Sequence, residues 1–111
     1  MVVVIFEVYL DPAKGNRYFD IAAALKAELQ QIDGFVSVER FKSLVTEDKY
    51  LSLSTWRDEA SVEAWYRTVD HRAAQKEGIA ALFTDYRIRV AGVMRDYDMA
   101  AGRPALAGLG A

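Results

Sequence analysis

The sequence predicts an α+β domain built on one antiparallel sheet with its helices on a single face. Three observations predict it. The first segment is dense in β-branched residues, the last alternates with a period of two, and two stretches between them carry apolar residues at helical spacing.

Val2 to Leu10 is rich in β-branched and aromatic residues, and DPAKGN after it supplies the Asp, Pro and Gly that end a strand and turn the chain. From Asn16, the expected N-cap, Tyr18, Ile21, Ala22, Leu25, Leu29 and Ile32 recur at helical spacing, and Asp33-Gly34 provides the stop. Phe35 to Ser43 and Lys49 to Trp56 read as two strands joined by a hairpin connection through LVTEDK. Asp58 is placed to cap a second helix, in which Val62, Trp65, Tyr66 and Val69 fall at i, i+3, i+4 and i+7. That pattern breaks near Thr68 to Asp70 and resumes through HRAAQKEG, so a kink or a second short helix ending at Gly78 is expected. Tyr86, Ile88, Val90, Gly92 and Met94 then alternate with Arg87, Arg89, Ala91, Val93 and Arg95 as a final strand.

Strand, helix, strand, strand, helix, strand is the βαββαβ order of a ferredoxin-like unit, with an antiparallel sheet and both helices on one face. The other face keeps apolar side chains and needs a partner, which a homodimer joined through its sheets would provide. The domain is expected over residues 1–97. The Ala- and Gly-rich stretch 98–111 reads as a tail or as an arm laid on the neighbouring subunit.

At 111 residues, 52% hydrophobic and 27% charged with a formal charge of -2, the chain has the totals of one soluble globular domain without a field suited to nucleic-acid phosphates. It has no cysteine, which excludes disulfides, thiolate metal sites and cysteine nucleophiles and fits a cytoplasmic setting. One histidine cannot make a multi-histidine metal site within one chain. The start MVVVIFEVYL has no basic leader and meets Glu7 and Asp11 early, so it reads as a strand rather than a signal peptide. No apolar run approaches the roughly 18–20 residues of a membrane-spanning helix.

The segments GFVSVERF, YLSLSTWRDEASVEAW, HRAAQ and DYRIRVAGVMRDY together resemble the antibiotic biosynthesis monooxygenase family of dimeric α+β barrels, over nearly the whole chain from Met1 to about Tyr97. The resemblance implies an oxidoreductase acting with molecular oxygen as a homodimer, in a family that includes cofactor-free oxygenases of aromatic polyketides, haem-degrading enzymes and members without a known reaction. Fold alone does not settle function. Against the haem-degrading pattern, Trp65 matches a tryptophan of the second helix. Glu7 stands at the first-strand asparagine position and Gln75 at the haem-ligating histidine position, while the histidine itself lies earlier, at His71. Against the quinone-forming pattern, Trp56 resembles a pocket tryptophan at the end of the third strand and Ser52 replaces an asparagine before it. A serine can still hydrogen-bond a phenolate oxygen, with fewer groups than an amide.

Each candidate also has a plainer reading. Trp56 and Trp65 serve either as core anchors or as an aromatic wall against which a planar substrate stacks. His71 is either a surface or capping residue or a base for a phenol proton, its ordinary pKa being about 6.5. Ser52 and Ser54, on one face of the third strand with Trp56, are either pocket polar groups or a half-exposed sheet face. Arg87 and Arg89, with Glu7 and Glu39 on neighbouring strands, read as an ion-pair set on the sheet face, with steering of an anionic substrate by one arginine as the alternative.

The expectation is a cofactor-independent monooxygenase for a small planar aromatic or quinol-type compound, with His71 and Trp65 as candidate catalytic residues. Trp56, Ser52, Ser54 and Tyr66 are the candidate substrate-binding residues, between the second helix and the sheet. The alternatives are a dimeric small-ligand-binding or stress-related module without turnover and, ranked third, a haem-binding or haem-degrading protein.

Overall fold

The computed structural model describes residues 1–75 and 82–101, and their side chains except for those of 69–75. Strand β1 (Val2–Leu10) is followed by a short 3-10 turn (Pro12–Lys14), α1 (Gly15–Leu29), β2 (Phe35–Lys42), β3 (Lys49–Trp56), α2 (Glu59–Gln75) and β4 (Phe83–Gly92). The sheet order is β2-β3-β1-β4 with every neighbouring pair antiparallel, so the ferredoxin-like α+β fold is the one observed.

The register makes the two faces of the sheet chemically different, because successive side chains of a strand alternate sides. On the helix side, Ile88, Phe6, Ser52 and Arg40 lie in one row across the four strands, and Val90, Val4, Ser54 and Val38 in the next. On the open side, Ile5 pairs with Leu53 and Glu7 with Leu51, while Phe41 stands opposite Leu51 at the β2 edge. Of the anticipated ion-pair set, Glu7 and Arg89 meet on this open side, joined by Lys49, which was not part of it; among the described residues no ion pair is formed by Arg87 or Glu39. Glu7 receives Arg89 at 2.9 Å and Lys49 at 3.4 Å, and the Arg89 hydrogen bond holds its carboxyl below the usual range.

Under the helices the core is not continuous. Val4, Leu29, Trp56 and Val62 form one buried cluster, and Val8, Leu10, Tyr18 and Leu82 form another. Burial of this kind stabilises by about 25 cal/mol per Å² of apolar surface, and each cluster is closed by aromatic edges. Phe35 meets the Trp56 ring edge-on at 5.4 Å in the first, and Phe83 meets Tyr18 at 5.5 Å in the second.

Several elements differ from the sequence expectation: β2 ends at Lys42 rather than Ser43, and three other differences have a local reason. Helical turn begins before Asn16, because Pro12 opens the 3-10 turn and Asp11 caps it by accepting from the Ala13 N–H at 3.0 Å. The α2 helix runs unbroken through Thr68 to Asp70. Thr68 closes its own polar group by donating to the Ala64 carbonyl at 3.0 Å, so the local drop in hydrophobicity does not end the helix. The expected continuation to Gly78 lies outside the described residues. Strand β4 starts at Phe83, three residues before Tyr86, because the Phe83 ring joins the second cluster, and it ends at Gly92 rather than Met94. Of the expected tail, residues 98–101 form a turn closed by the Ala101 N–H on Asp98 at 2.7 Å, and the rest lies outside the described residues.

The start of α2 is tied to the end of the α1–β2 connection. Asp58 accepts from the Ser61 N–H at 2.9 Å and the Ser61 hydroxyl at 2.6 Å, the cap expected of it, while Arg57 reaches both oxygens of Asp33 at 3.2 and 3.1 Å. Gly34 takes φ +92° and faces Ser61, where any Cβ would collide with the capping serine. The Ser61 hydroxyl and N–H, followed by Arg57, depress the Asp58 carboxyl to about 2. Because the folded state holds the ionised form, this stabilisation is complete above the ordinary value of 3.8 and is lost as the pH falls to about 2. Asp58→Ala should therefore melt below the parent protein at pH 7, and the gap between the two melting curves should close as the pH is lowered through that window. Thermal unfolding followed by circular dichroism at a series of pH values measures it.

Candidate functional site

Between the two core clusters lies a cavity of about 540 Å³. Its floor is the helix side of the sheet, including Val4, Phe6, Ser52, Ser54 and Trp56. Its roof is α1, with Tyr18, Phe19, Ala22, Leu25 and Leu29, and α2 closes one end with Trp65 and Tyr66. The expected constellation is brought together: Trp56, Ser52, Ser54, Trp65 and Tyr66 all line one space. His71 is carried on α2 beyond them, and its side chain, like that of Gln75, lies outside the described residues.

The two tryptophans play different geometric parts. Trp56 is 1% exposed and its indole N–H donates to the Ser54 hydroxyl at 2.9 Å, so both the ring and the serine oxygen are fixed. This indole satisfies the packing reading and the wall reading together, since one side is core and another borders the cavity. Trp65 is only half-buried and sits at the cavity's α2 end. Ser52, two residues along from Ser54, is a half-buried hydroxyl on the floor, in register with Phe6 on one side and Arg40 on the other.

Tyr66 is the most informative polar group. Its hydroxyl oxygen is buried and, among the described residues, has no hydrogen-bond partner. Such a group normally finds one, and leaving it unmatched costs about 1–3 kcal/mol. Burial pushes its ionisation above the ordinary range, so at neutral pH it is a phenol able to donate.

The sequence did not point to the roof or to the rim. Tyr18, Phe19, Lys26, Phe6 and Arg40 line the cavity as well. The available signals were the small Ala22 within the inward stripe of α1, which leaves room under the helix, and the alternation that puts Arg40 on the same side of β2 as Val38.

A family model for antibiotic biosynthesis monooxygenase matches residues 1–77. The chain belongs to this family. A jasmonate monooxygenase from Pyricularia oryzae is 43% identical over 90 residues, which cover 81% of this chain and 42% of that protein, so the chain spans less than half of that relative's length. Among solved structures, a cofactor-independent oxygenase from Streptomyces nogalater, SnoaB, superposes with a TM-score of 0.70 at 15% identity, covering 86% of this chain and 94% of that one. The haem degrader MhuD from Mycobacterium tuberculosis, with two haems in its active site, gives 0.69 at 16% identity over 88% and 100%. At such identities the likeness is one of fold.

Proteins of this fold thus include both a cofactor-independent oxygenase and a haem degrader, and the residues of this chain can be tested against the second. Glu7, the residue that the sequence resemblance sets against the first-strand position of the haem-degrading pattern, is on the face opposite the cavity and is held there by Arg89 and Lys49. The β1 side chains that do line the cavity are Val4 and Phe6, neither of which can donate a hydrogen bond to a haem-bound group. The first-strand part of the haem-degrading arrangement does not fit. Among the described residues there is also no group of three or more acidic or imidazole side chains placed to hold a metal ion. Haemin titration is accordingly expected to give no tight, stoichiometric Soret shift that depends on His71. A one-to-one complex abolished by His71→Ala would show that the haem arrangement is built differently here.

Proposed function

We propose that the chain is a cofactor-independent monooxygenase module that holds a small planar aromatic or quinol-type compound in the cavity, as a homodimer in the cytoplasm. The observation that carries this reading is the cavity itself: an aromatic-walled space within the core, with a buried, unmatched Tyr66 hydroxyl and the Ser52 hydroxyl on its lining. Membership of the family and the monooxygenase named among its relatives support the reaction class.

Direct oxygenation without a metal or flavin needs a substrate that supplies the electrons. A phenol, once deprotonated, passes an electron to oxygen; the radical pair combines at a ring carbon, and loss of water leaves a quinone. One oxygen atom ends in the new carbonyl and the other in water. The protein's share is to hold the ring between aromatic walls, donate a hydrogen bond to its oxygen from Tyr66 or Ser52, and accept the proton. His71 is proposed as the base and Trp65 as the wall nearest the reacting ring, with Trp56 and Ser54 fixing the floor.

The same apolar, aromatic lining also suits a second reading, a dimeric module that binds such a compound without turning it over. Oxygen uptake by purified, metal-free and flavin-free protein with a panel of polyphenols separates the two, consumption being expected for the oxygenase. With an active compound, the rate should rise with pH as the His71 imidazole becomes neutral and then level off. His71→Gln should lower turnover by about 10²-fold or more. Full activity in that variant would remove His71 from the mechanism.

The dimer is proposed through the open sheet face, where half-buried Val3, Ile5, Leu51 and Leu53 and exposed Phe41 surround the Glu7–Arg89–Lys49 ion pairs. Light scattering in dilute buffer should give twice the 12.4 kDa chain mass, and a monomer at low micromolar concentration would overturn it.

A further inference from the structure

The hydrogen bond between Trp56 and Ser54 leaves one proton unspent. The indole N–H of Trp56 donates to the Ser54 Oγ at 2.9 Å in a buried setting, so the serine is the acceptor of that pair. A hydroxyl also carries a proton of its own to give. Among the described residues, the Ser54 hydroxyl donates it to nothing. The register supplies the reason. Ser54 is paired with Val4 on β1 and with Val38 on β2, and neither side chain can accept a hydrogen bond. All three stand on the cavity floor, and Ser54, flanked by a strand on each side and 8% exposed, opens onto the cavity.

The surroundings turn this hydroxyl into a directed donor. Trp56 is 1% exposed, so its N–H has no water to turn to and holds the serine oxygen in one place. Accepting that bond polarises the O–H and strengthens its own donation, because linked hydrogen bonds reinforce one another. The valines on either side keep the local screening low, which makes a hydrogen bond to a negatively charged oxygen worth more there than in water.

We propose that Ser54, beyond fixing the floor, holds the negative charge of the bound compound: its hydroxyl donates to the phenolate oxygen left when the phenol loses its proton. Trp56 is the positioning residue that orients and polarises this hydroxyl. It acts through the serine two residues before it, with its own N–H already committed. This deepens the ring-binding function proposed above and rests on it.

Absorbance titration of bound 4-nitro-1-naphthol tests it, since the naphtholate is coloured, with 1-methoxy-4-nitronaphthalene as a partner of similar shape that cannot ionise. On Ser54→Ala the bound naphthol should ionise about one pH unit higher than on the parent protein, equivalent to an about tenfold loss of preference for the anion. The ether should bind both proteins alike. Ser54→Thr, which keeps the hydroxyl, should retain the parent value. Ser54→Ala leaves the buried indole N–H without an acceptor, so Trp56→Phe, which orphans no group, provides the second arm. It should shift the bound naphthol in the same direction by a smaller amount. Unchanged ionisation in either variant, or a loss of affinity shared equally by naphthol and ether, overturns the assignment while the ring-binding function stands. Failure of both compounds to bind the parent protein overturns the ring-binding function and this inference with it.

Discussion

The central strand β1 carries the constraint on which the molecule depends. Three of its helix-side residues, Val4, Phe6 and Val8, each play a different part. Val4 anchors one buried cluster, Val8 anchors the other, and Phe6 lines the cavity between them. Paired on both flanks, β1 has its backbone groups satisfied by β3 and β4, so it fixes the spacing of the two clusters. The cavity is therefore held open from both ends by packed material. A single continuous core would have closed it, since protein interiors fill to near-crystalline density unless something prevents collapse.

Much of this was legible in the sequence, and the reasons are specific. The period-two runs of β1 and β4 and the spacing of Val62, Trp65 and Tyr66 identified elements whose ends were marked by Asp58 and Gly34. The shared face of Ser52, Ser54 and Trp56 follows from strand alternation alone, and the three do line one cavity. The roof was not legible because periodicity tells which stripe of α1 turns inward but not how far it stands off the sheet. Arg40 was missed for a related reason. A cation in the exposed edge strand β2 looks like ordinary surface until Tyr18, from a different element, is seen to lie beneath it.

The charged groups divide the molecule into separate compartments. On the open face, Glu7 gathers Arg89 and Lys49, and at the base of α2, Asp33, Arg57 and Asp58 form a closed set around the helix start. Each set is paired within itself and gives shape rather than chemistry; exposed pairs of this kind contribute little stability individually. The polar groups of the cavity are left differently. The Tyr66 hydroxyl is unmatched, whereas Ser54 is engaged by the indole of Trp56. That contrast between satisfied surface and unsatisfied interior distinguishes a binding space from a packing defect.

The unequal surroundings of the two tryptophans give the protein an internal optical gauge. Trp56 is enclosed and its N–H is engaged, so its emission belongs at the blue end of the indole range and is shielded from dissolved quenchers. Trp65, half-buried at the cavity's end, meets whatever enters. The sequence contains no other indole to blur the distinction. Occupancy of the cavity can thus be read from the unaltered chain as a change weighted toward the accessible Trp65, with Trp56 responding only through the side that borders the cavity.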